Sequence, residues 1–229
     1  MEDRIKVINR VGRDISVRVN NADGVIAVTV EYPENRIRLS HLNPGDVFKA
    51  DGLKYIVLEH FSNGTAAAIR KDVLQESRVF DFDDNNWKTS NIRRFLNSEY
   101  LEELNEVFGE SNIMNHAANL LSLDGLKDYG KCTDKVSLLS VGQYWDYREF
   151  MGDVLYDSDK EYDSWWLITP DSTLSGFGGN DLLYVGSMGD IGCSPCNFYR
   201  GIRPYIVLRD SVMVVMDGHV SNENRALIL

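Results

Sequence analysis

The stretch GDIGCSPCNFYRGIRPYIVL, residues 189–208, carries the fold assignment of the C-terminal half of this chain. Its apolar run, which follows Gly201 and Pro204 and ends at Leu208, predicts a β-strand. Before it stand Cys193 and Cys196, at the spacing of a redox dithiol or of half a zinc site, and the aromatic-basic run 198–200. Three interpretations of this region follow: an active site, a metal-binding loop or a displayed binding surface.

Outward from this stretch, the chain after Val136 consists of short apolar runs separated by Gly, Ser, Asp and Asn. They predict the strands of an irregular mixed sheet with long loops: VSLLS (136–140), WWLIT (165–169), LLYVG (182–186), RPYIVL (203–208) and SVMVVM (211–216). Adjacent residues of a strand face opposite sides. We therefore expect Trp165 and Trp166 to enter two different packed layers.

The N-terminal part predicts a further group of strands. DISVRV and VIAVTVEY flank the turn NNADG, whose Asn, Asp and Gly tolerate the positive φ of tight hairpin turns. NPGDVF, LKYIVLEHF and GTAAAIR follow as strands between Gly-containing turns. We therefore expect a small β module over residues 1–42 and a larger domain over residues 43–229.

One clear amphipathic helix is expected between these strand groups. Thr89 or Ser90 can cap its first turn, and a break is expected near Ser98. The apolar residues recur mostly on one face; they are Ile92, Phe95, Leu96, Leu101, Leu104, Val107 and Phe108. A weaker helical pattern covers residues 111–123, so helices are expected together with strands in an α+β domain.

Composition and charge narrow the classes of function. The chain has 35 acidic and 24 basic residues, a net charge of -11 spread along its length, so nucleic acid is not an expected partner. No run approaches the roughly 20 apolar residues of a membrane span, and residues 1–14 lack the apolar segment of a secretory signal. Three cysteines argue against a disulfide scaffold. We expect a cytoplasmic protein without a signal peptide or membrane insertion.

Cys193 and Cys196 match a redox or zinc site only in their spacing. A thioredoxin-type pair opens a helix, which lowers the pKa of the thiol, whereas a loop-like NFYRG follows here. A structural zinc site needs four ligands, usually in two close pairs, and Cys132 and the four histidines occur singly. We therefore expect two loop cysteines, no metal and no cofactor.

Two other loops resemble ligand motifs without completing them. DFDDNNW, residues 81–87, begins like a calcium-binding loop, but Asn86 replaces the sharp-turn glycine and Ile92 the bidentate glutamate. GFGGND, residues 176–181, lacks the spacing and the ending of a phosphate-binding loop. A solvated acidic loop and a flexible glycine-rich loop are the expected structures.

Four blocks occur in the order WKTSNIRRFLN (87–97), DKVSLLSVGQY (134–144), WWLITP (165–170) and RGIRPYIVL (200–208). Together they resemble a bacterial and phage domain family of unknown function with the pattern W-x-x-S-x-[IV]-R-x-[WF]-L-N, L-L-S, W-W-L-R-S-P and G-[IV]-R-P. The resemblance covers about residues 43–215. That family is similar to the formylglycine-generating-enzyme branch of the C-type-lectin-like fold, which implies a C-type-lectin-like α+β domain here.

The chain departs from this pattern in two respects. Ile168 and Thr169 stand where the pattern has Arg-Ser, so any ion pair of that arginine is missing. Formylglycine-generating enzymes use a cysteine pair in a C-terminal segment, and Cys193 and Cys196 fall in a comparable region with different spacing and surroundings. The resemblance therefore does not carry catalysis over to this chain.

The same fold family includes the variable proteins of diversity-generating retroelements, whose C-terminal ligand-binding surface is diversified at adenines of a template. Randomising the first two positions of an AAC or AAT codon cannot produce Lys, Glu, Gln, Trp or Met. Residues 167–222 contain no Lys, Glu, Gln or Trp, while Met188, Met213 and Met216 would have to be fixed positions. This depletion fits a diversified segment and also a Gly/Asn-rich loop region without a retroelement.

We expect a non-catalytic protein that binds an unidentified protein or glycan through loops set on rigid strands. Tyr and Arg are typical of binding hot spots, so Phe198 or Tyr199 is expected to be exposed, and Arg203 to bond a carboxylate or a carbonyl. The expected ligand-binding residues are Asp171, Ser175, Phe177, Asn180, Asp181, Ser187, Asp190, Cys193, Ser194, Cys196, Asn197, Phe198, Tyr199 and Arg200.

Two alternatives to this function stay open. One is a metal- or cysteine-dependent oxidase-like enzyme related to the formylglycine-generating enzymes, which would use Cys193 and Cys196. The other is a structural or receptor-binding subunit of a phage particle or exported assembly. In that case residues 1–42 would dock the protein or join it into a homo-oligomer.

Overall fold

The computed structural model of this protein describes residues 16–22, 25–31, 36–74, 76–152 and 164–219. The chain divides into two compact units, Met1–Arg36 and Ile37–Leu229. Leu39 and Leu42, which the sequence assigned to the N-terminal module, are buried in the core of the second unit. The division therefore lies slightly before the expected boundary at residues 42 and 43.

The first unit contains an antiparallel hairpin. β1 (Ser16–Ala22) pairs with β2 (Val25–Glu31) so that Ala22 lies opposite Val25. This pairing confirms the hairpin predicted around the NNADG turn. Residues 1–15, 23–24 and 32–35 lie outside the described residues, and the expected docking role of residues 1–42 stays a prediction.

The strands that follow are short and numerous. They are β3 (Arg36–Arg38), β4 (Asp46–Ala50), β5 (Leu53–Phe61), β6 (Thr65–Arg70), β7 (Arg78–Val79), β8 (Ile113–Met114), β9 (His116–Asn119), β10 (Lys131–Asp134), β11 (Val136–Ser137), β12 (Trp165–Pro170), β13 (Asp181–Val185), β14 (Ile191–Pro195), β15 (Tyr199–Arg200), β16 (Tyr205–Arg209) and β17 (Met213–His219). Most of these strands had been expected from the apolar runs of the sequence.

Eight of the described strands form the main sheet, in the order β11-β16-β6-β5-β4-β17-β3. β8 joins β11 along one edge of β16, because β11 pairs with its first half and β8 with its second. Neighbours from β11 to β17 run antiparallel. The strand RPYIVL is thus an inner strand of the sheet.

Smaller pairings carry the segments of the expected ligand surface. β12, β13 and β14 form an antiparallel three-stranded sheet, β7 pairs with β15, and β9 pairs with β10. Asp181 lies opposite Pro195, and Val185 lies opposite Ile191. One end of the three-stranded sheet therefore holds the turn 186–190, and the other end holds the segments that lead into β13 and out of β14.

Two of the three described helices begin at a serine that caps the first turn. α1 (Asn91–Leu96) and α2 (Glu99–Phe108) confirm the predicted helix with a break near Ser98. The Ser90 hydroxyl accepts a hydrogen bond from the Arg93 amide, which satisfies a free N–H of the first turn. α3 (Val141–Met151) was not predicted, although its capping box of Ser140 and Gln143 is a sequence signal for a helix start. Single 3-10 turns occupy Leu39–His41 and Glu110–Asn112.

The expectation of an α+β, C-type-lectin-like domain is wrong. The described residues form a mostly antiparallel β architecture, in which α1, α2 and α3 are short. The expected helix over residues 111–123 is also wrong, because the segment forms β8 and β9 after a 3-10 turn. Buried Ala118 and Leu120 alternate with exposed neighbours, which is the two-residue period of a strand.

Two apolar layers pack against the sheets. Trp166 belongs to one buried cluster, with Phe80 and Trp87, whereas Trp165 belongs to the other, with Tyr144 and other residues. The two neighbouring tryptophans therefore face opposite sides of β12, as the alternation of a strand predicts. This confirms the expectation drawn from the sequence and fixes β12 between the two layers.

Candidate ligand-binding site

Asp134, the first residue of the second sequence block, bonds two residues of the first block. Its buried carboxylate accepts a hydrogen bond from the Trp87 indole at 2.8 Å and two-point contacts from the Arg93 guanidinium, the shortest at 2.7 Å. Burial favours the neutral acid, yet the hydrogen bonds from Arg93 and Trp87 outweigh it and hold the pKa of Asp134 below its usual range. The arginine and the tryptophan of this block thus support the scaffold.

Asn97 makes a second connection between the same two blocks. Its side-chain NH₂ donates to the Val136 carbonyl at 2.8 Å, and its side-chain oxygen accepts from the amides of Lys135 and Val136. α1 is therefore fixed against the start of β11 by both ends of one amide. Positions of α1 that face solvent keep a defined orientation as a result.

Asn85 holds the glycine-rich loop from beneath. It is fully buried, and its NH₂ donates to the carbonyls of Ser172 at 3.0 Å and Asp181 at 2.7 Å. The Tyr129 hydroxyl donates to its side-chain oxygen, and the Asn85 amide donates to the Gly179 carbonyl. The expectation of an entirely solvated loop at 81–87 is therefore wrong at Asn85, which anchors the loop 171–180.

The expected ligand-binding residues differ in exposure. Ser194 and Cys196 are buried and present no side chain to a ligand, and Asp171, Asp181 and Arg200 are half-buried. The exposed ones are Ser175, Phe177, Asn180, Ser187, Asp190, Cys193, Asn197, Phe198 and Tyr199. Ser194 therefore shares no exposed face with Tyr199.

Five of these exposed residues lie at opposite ends of the three-stranded sheet. Ser187 and Asp190 belong to the turn 186–190, whereas Ser175, Phe177 and Asn180 precede β13 at its opposite end. The five residues of β13 separate these ends by about 14 Å, at roughly 3.4 Å per residue. The structure therefore divides the single expected surface into two.

The run Phe198–Arg200 also divides. Phe198 and Tyr199 are exposed, which confirms the expectation that at least one of them faces solvent. Arg200 is less exposed than these two residues and makes contacts within the protein. Its guanidinium lies 3.3 Å from the centroid of the Tyr184 ring and donates to the Ser164 hydroxyl at 2.8 Å. Replacing Arg200 would therefore remove intramolecular contacts as well as a surface charge.

Tyr199 lines a surface pocket together with residues from β7 and α1. The cavity measures about 230 Å³ and is lined by Arg78, Val79, Phe82, Asn91, Ile92, Phe95 and Tyr199. Tyr199 is 68% exposed and Phe82 is 65% exposed, while the Arg78 guanidinium stacks on the Phe95 ring at 3.8 Å from its centroid. We call these seven residues the Tyr199 pocket.

The pocket residues other than Tyr199 were not recognised as a site from the sequence. Phe82 stands alone between Asp81 and Asp83 in an acidic loop, and a single apolar residue in such a segment is not by itself a signal of a binding site. Arg78 and Phe95 carry no such signal either. Their proximity to Tyr199 depends on the pairing of β7 with β15.

The cysteines are free thiols with suppressed ionisation. Cys193 is exposed, Cys196 is buried, and Cys132 is intermediate. Burial raises the pKa of Cys193 to about 11, helped by the charges of Asp171 and Asp181, and burial with the charge of Asp81 raises that of Cys196 to about 11. Because the thiolate is the reactive and metal-binding form, both side chains are poorly suited to that chemistry at neutral pH.

Arg203 is held by the backbone. Its buried guanidinium donates to the carbonyls of Arg70, at 3.2 Å, and Lys71. These carbonyl partners confirm the structural role expected for it. In the described part of the chain, no group of three or more His, Cys, Asp or Glu side chains is placed to hold a metal ion. Among the described helices, none is long and apolar enough to cross a membrane.

Residues 63–210 match the family described as a domain of unknown function, DUF6273. All four sequence blocks fall within the matched range. No curated protein and no solved structure matches the chain.

Proposed function

We propose that this chain, which belongs to the DUF6273 family, is a non-catalytic protein that binds a protein ligand at the Tyr199 pocket. The proposal is argued from the geometry of its surface. The observation that carries the proposal is the exposure of Tyr199 and Phe82 beside a stacked Arg78–Phe95 pair. Aromatic side chains and arginine are the commonest anchors of protein interfaces.

The size of the pocket favours a protein ligand over a small molecule. Its 230 Å³ is below the roughly 300–1,000 Å³ of typical small-molecule sites. A cavity of this size accommodates a single large side chain of a partner. Phe198, adjacent to Tyr199 in the chain, is also exposed but does not line the cavity.

The pocket is built on rigid elements, which supports a binding role. Tyr199 lies opposite Val79 in the β15–β7 pair, and α1 is held by the Ser90 cap and by Asn97. A preformed pocket reduces the entropy lost when a partner orders its contacts. The high pKa values of Cys193 and Cys196 argue in the same direction, against cysteine-based catalysis.

We also propose that sequence variation, if a retroelement generates it, affects the exposed loops between residues 171 and 200. The absence of Lys, Glu, Gln and Trp from residues 167–222 supports this. A reverse transcriptase gene beside this gene, with a near-copy of the 3′ coding segment, is the expected finding. Neighbouring DNA without such a copy would exclude diversification and leave the binding function in place.

The binding function is tested by selecting peptides from a displayed random library on the purified protein. Selected peptides are expected to lose affinity by roughly 30-fold or more in the Tyr199→Ala and Phe82→Ala variants, as for hot-spot contacts. Tyr199→Ala should change the free energy of unfolding by no more than about 0.5 kcal/mol, since the ring is exposed.

Trp145→Ala is the matched control, because Trp145 is an exposed aromatic residue of α3 outside the pocket. It should leave peptide affinity unchanged. Failure to enrich any peptide, or equal affinity of the selected peptides for the wild type and for Tyr199→Ala, would contradict the proposal. Stoichiometric copper or zinc binding that is lost in a Cys193→Ser, Cys196→Ser variant would favour the enzyme instead.

A further inference from the structure

Two contacting loops present large apolar side chains to solvent at some distance in sequence from Tyr199. They comprise residues 121–129 and 171–181, which we call the acidic loop face. Phe177 is 97% exposed and Leu174 is 70% exposed on one loop, and Leu123 is exposed on the other. Such exposure of clustered apolar side chains marks an interaction surface more often than single exposed residues do.

The two loops are bonded to each other. The Asp128 carboxylate accepts hydrogen bonds from the hydroxyls of Thr173, at 2.5 Å, and Ser175. The Leu123 amide donates to the Pro170 carbonyl at 2.9 Å, and Asn85 supports the loop of Phe177 from the core. These hydrogen bonds fix the loop on which Phe177 is exposed to solvent. A loop that is preorganised in this way loses less entropy on binding.

The same two loops also carry carboxylates. The acidic loop face contains Asp124, Asp128, Asp171 and Asp181 and the single basic residue Lys127, and the neighbouring segment 81–87 adds three aspartates. Hydrogen bonds from Ser122 and Ser172 lower the pKa of Asp124, and bonds from Ser175 and Thr173 lower that of Asp128. Both groups are thus negatively charged at neutral pH and below.

We propose that the acidic loop face docks a protein segment that carries apolar side chains flanked by lysine or arginine. The apolar centre supplies the buried contact, and the aspartates select the positive flanks. A second copy of this chain is disfavoured as the occupant, because each copy has a net charge of -11. Leu123, Leu174 and Phe177 do not line the Tyr199 pocket, so the inference does not depend on that pocket binding a ligand.

The test uses the full chain and two synthetic peptides labelled with fluorescein, KKLFLKK and its acidic counterpart EELFLEE. Fluorescence anisotropy should show binding of the lysine peptide and none of the glutamate peptide. A Leu174→Ser, Phe177→Ser variant should weaken binding roughly tenfold. A double Asp83→Asn, Asp171→Asn variant lacks two negative charges. It should bind the lysine peptide more weakly than the wild type at low salt, with a smaller difference at about 0.5 M salt, where charges are screened.

The controls separate docking from general attraction to an acidic protein. Trp145→Ser removes an exposed aromatic residue elsewhere and should leave the affinity unchanged, as should Tyr199→Ala. If the double variant fails to fold, Phe177→Ser alone gives the same test, since its ring is almost fully exposed. Equal binding of the two peptides, or undiminished binding of the lysine peptide to the Phe177 variants, would overturn the proposal. A loss with Tyr199→Ala alone would assign the peptide to the Tyr199 pocket and equally overturn it.

Discussion

At the scale of single residues, His116 makes the stability of the fold depend on pH. His116 Nε2 lies 2.8 Å from the Ser137 hydroxyl, and its ring packs edge-on against Tyr205 at 5.0 Å between centroids. Burial lowers the pKa of His116 from 6.5 to about 4. The imidazole is therefore neutral in the folded protein under conditions in which an unfolded chain takes up a proton.

This difference predicts a loss of stability in weak acid. The unfolded state binds a proton as the pH falls below about 6.5, while folded His116 stays neutral until about 4, so stability falls across this window. Between about pH 7.5 and pH 5 the contribution is roughly 2 kcal/mol. His116→Gln should reduce the pH dependence of the unfolding free energy, measured by urea titration at both pH values, by about that amount.

His41→Gln is the comparison for this measurement, because His41 is exposed. Its unfolding free energy should follow the wild-type pH dependence. A His116→Gln protein with an unchanged dependence between the two pH values would show that this histidine is protonated equally in the folded and unfolded states.

At the scale of elements, α1 links the core to the Tyr199 pocket. Ile92 and Leu96 face the core, while Phe95 is half-buried and lines the pocket beside Arg78. A helix this short is marginal in isolation, so tertiary packing supplies most of its stability. The Ser90 cap, Asn97 and the Arg93–Asp134 pair provide the remaining attachments.

Leu96 therefore contributes to stability through burial alone. It is fully buried, so Leu96→Ala should lower the unfolding free energy by about 2–5 kcal/mol, through lost transfer energy and the cavity left behind. Arg94→Ala, on the exposed face of α1, should change it by no more than about 0.5 kcal/mol. Chemical denaturation measures both values. A change below about half a kcal/mol for Leu96→Ala would mean that the helix face is wrongly assigned.

At the scale of the whole molecule, β16 pairs with three other strands of the described chain. It pairs with β6 on one edge and with β8 and β11 on the other, and its residues Tyr205–Leu208 are buried. By contrast, β9 and β10 form a separate two-stranded ladder with exposed residues in both strands. The stability of the molecule should therefore be concentrated in the main sheet.

Hydrogen exchange followed by mass spectrometry tests this distribution. Amides of β16 and β6 should exchange only on global unfolding, whereas those of β9 and β10 should exchange through local opening at lower free energy. The expected order of protection is β16 and β6 first, then the β12–β14 sheet, then β9 and β10. Faster exchange in β16 than in β9 would contradict a core centred on the main sheet.

Local sequence signals were sufficient to predict several features of this protein. The strand pattern of LKYIVLEHF, the capped helix with its break near Ser98 and the opposite orientations of Trp165 and Trp166 were all predictable. Each of these depends on a periodicity or a capping residue within a few positions along the chain. The exposure of Phe198 and Tyr199 followed from the same local setting.

Only the tertiary structure decided the fold class and the site. Residues 111–123 form strands because the edge of β16 is available to Ile113 and Met114, a partner that no local pattern reveals. Asn85 is buried because distant carbonyls of Ser172 and Asp181 surround it, and Tyr199 acquires its pocket because β15 pairs with β7. These outcomes arise from contacts between segments far apart in the chain, whose energies outweigh local propensity.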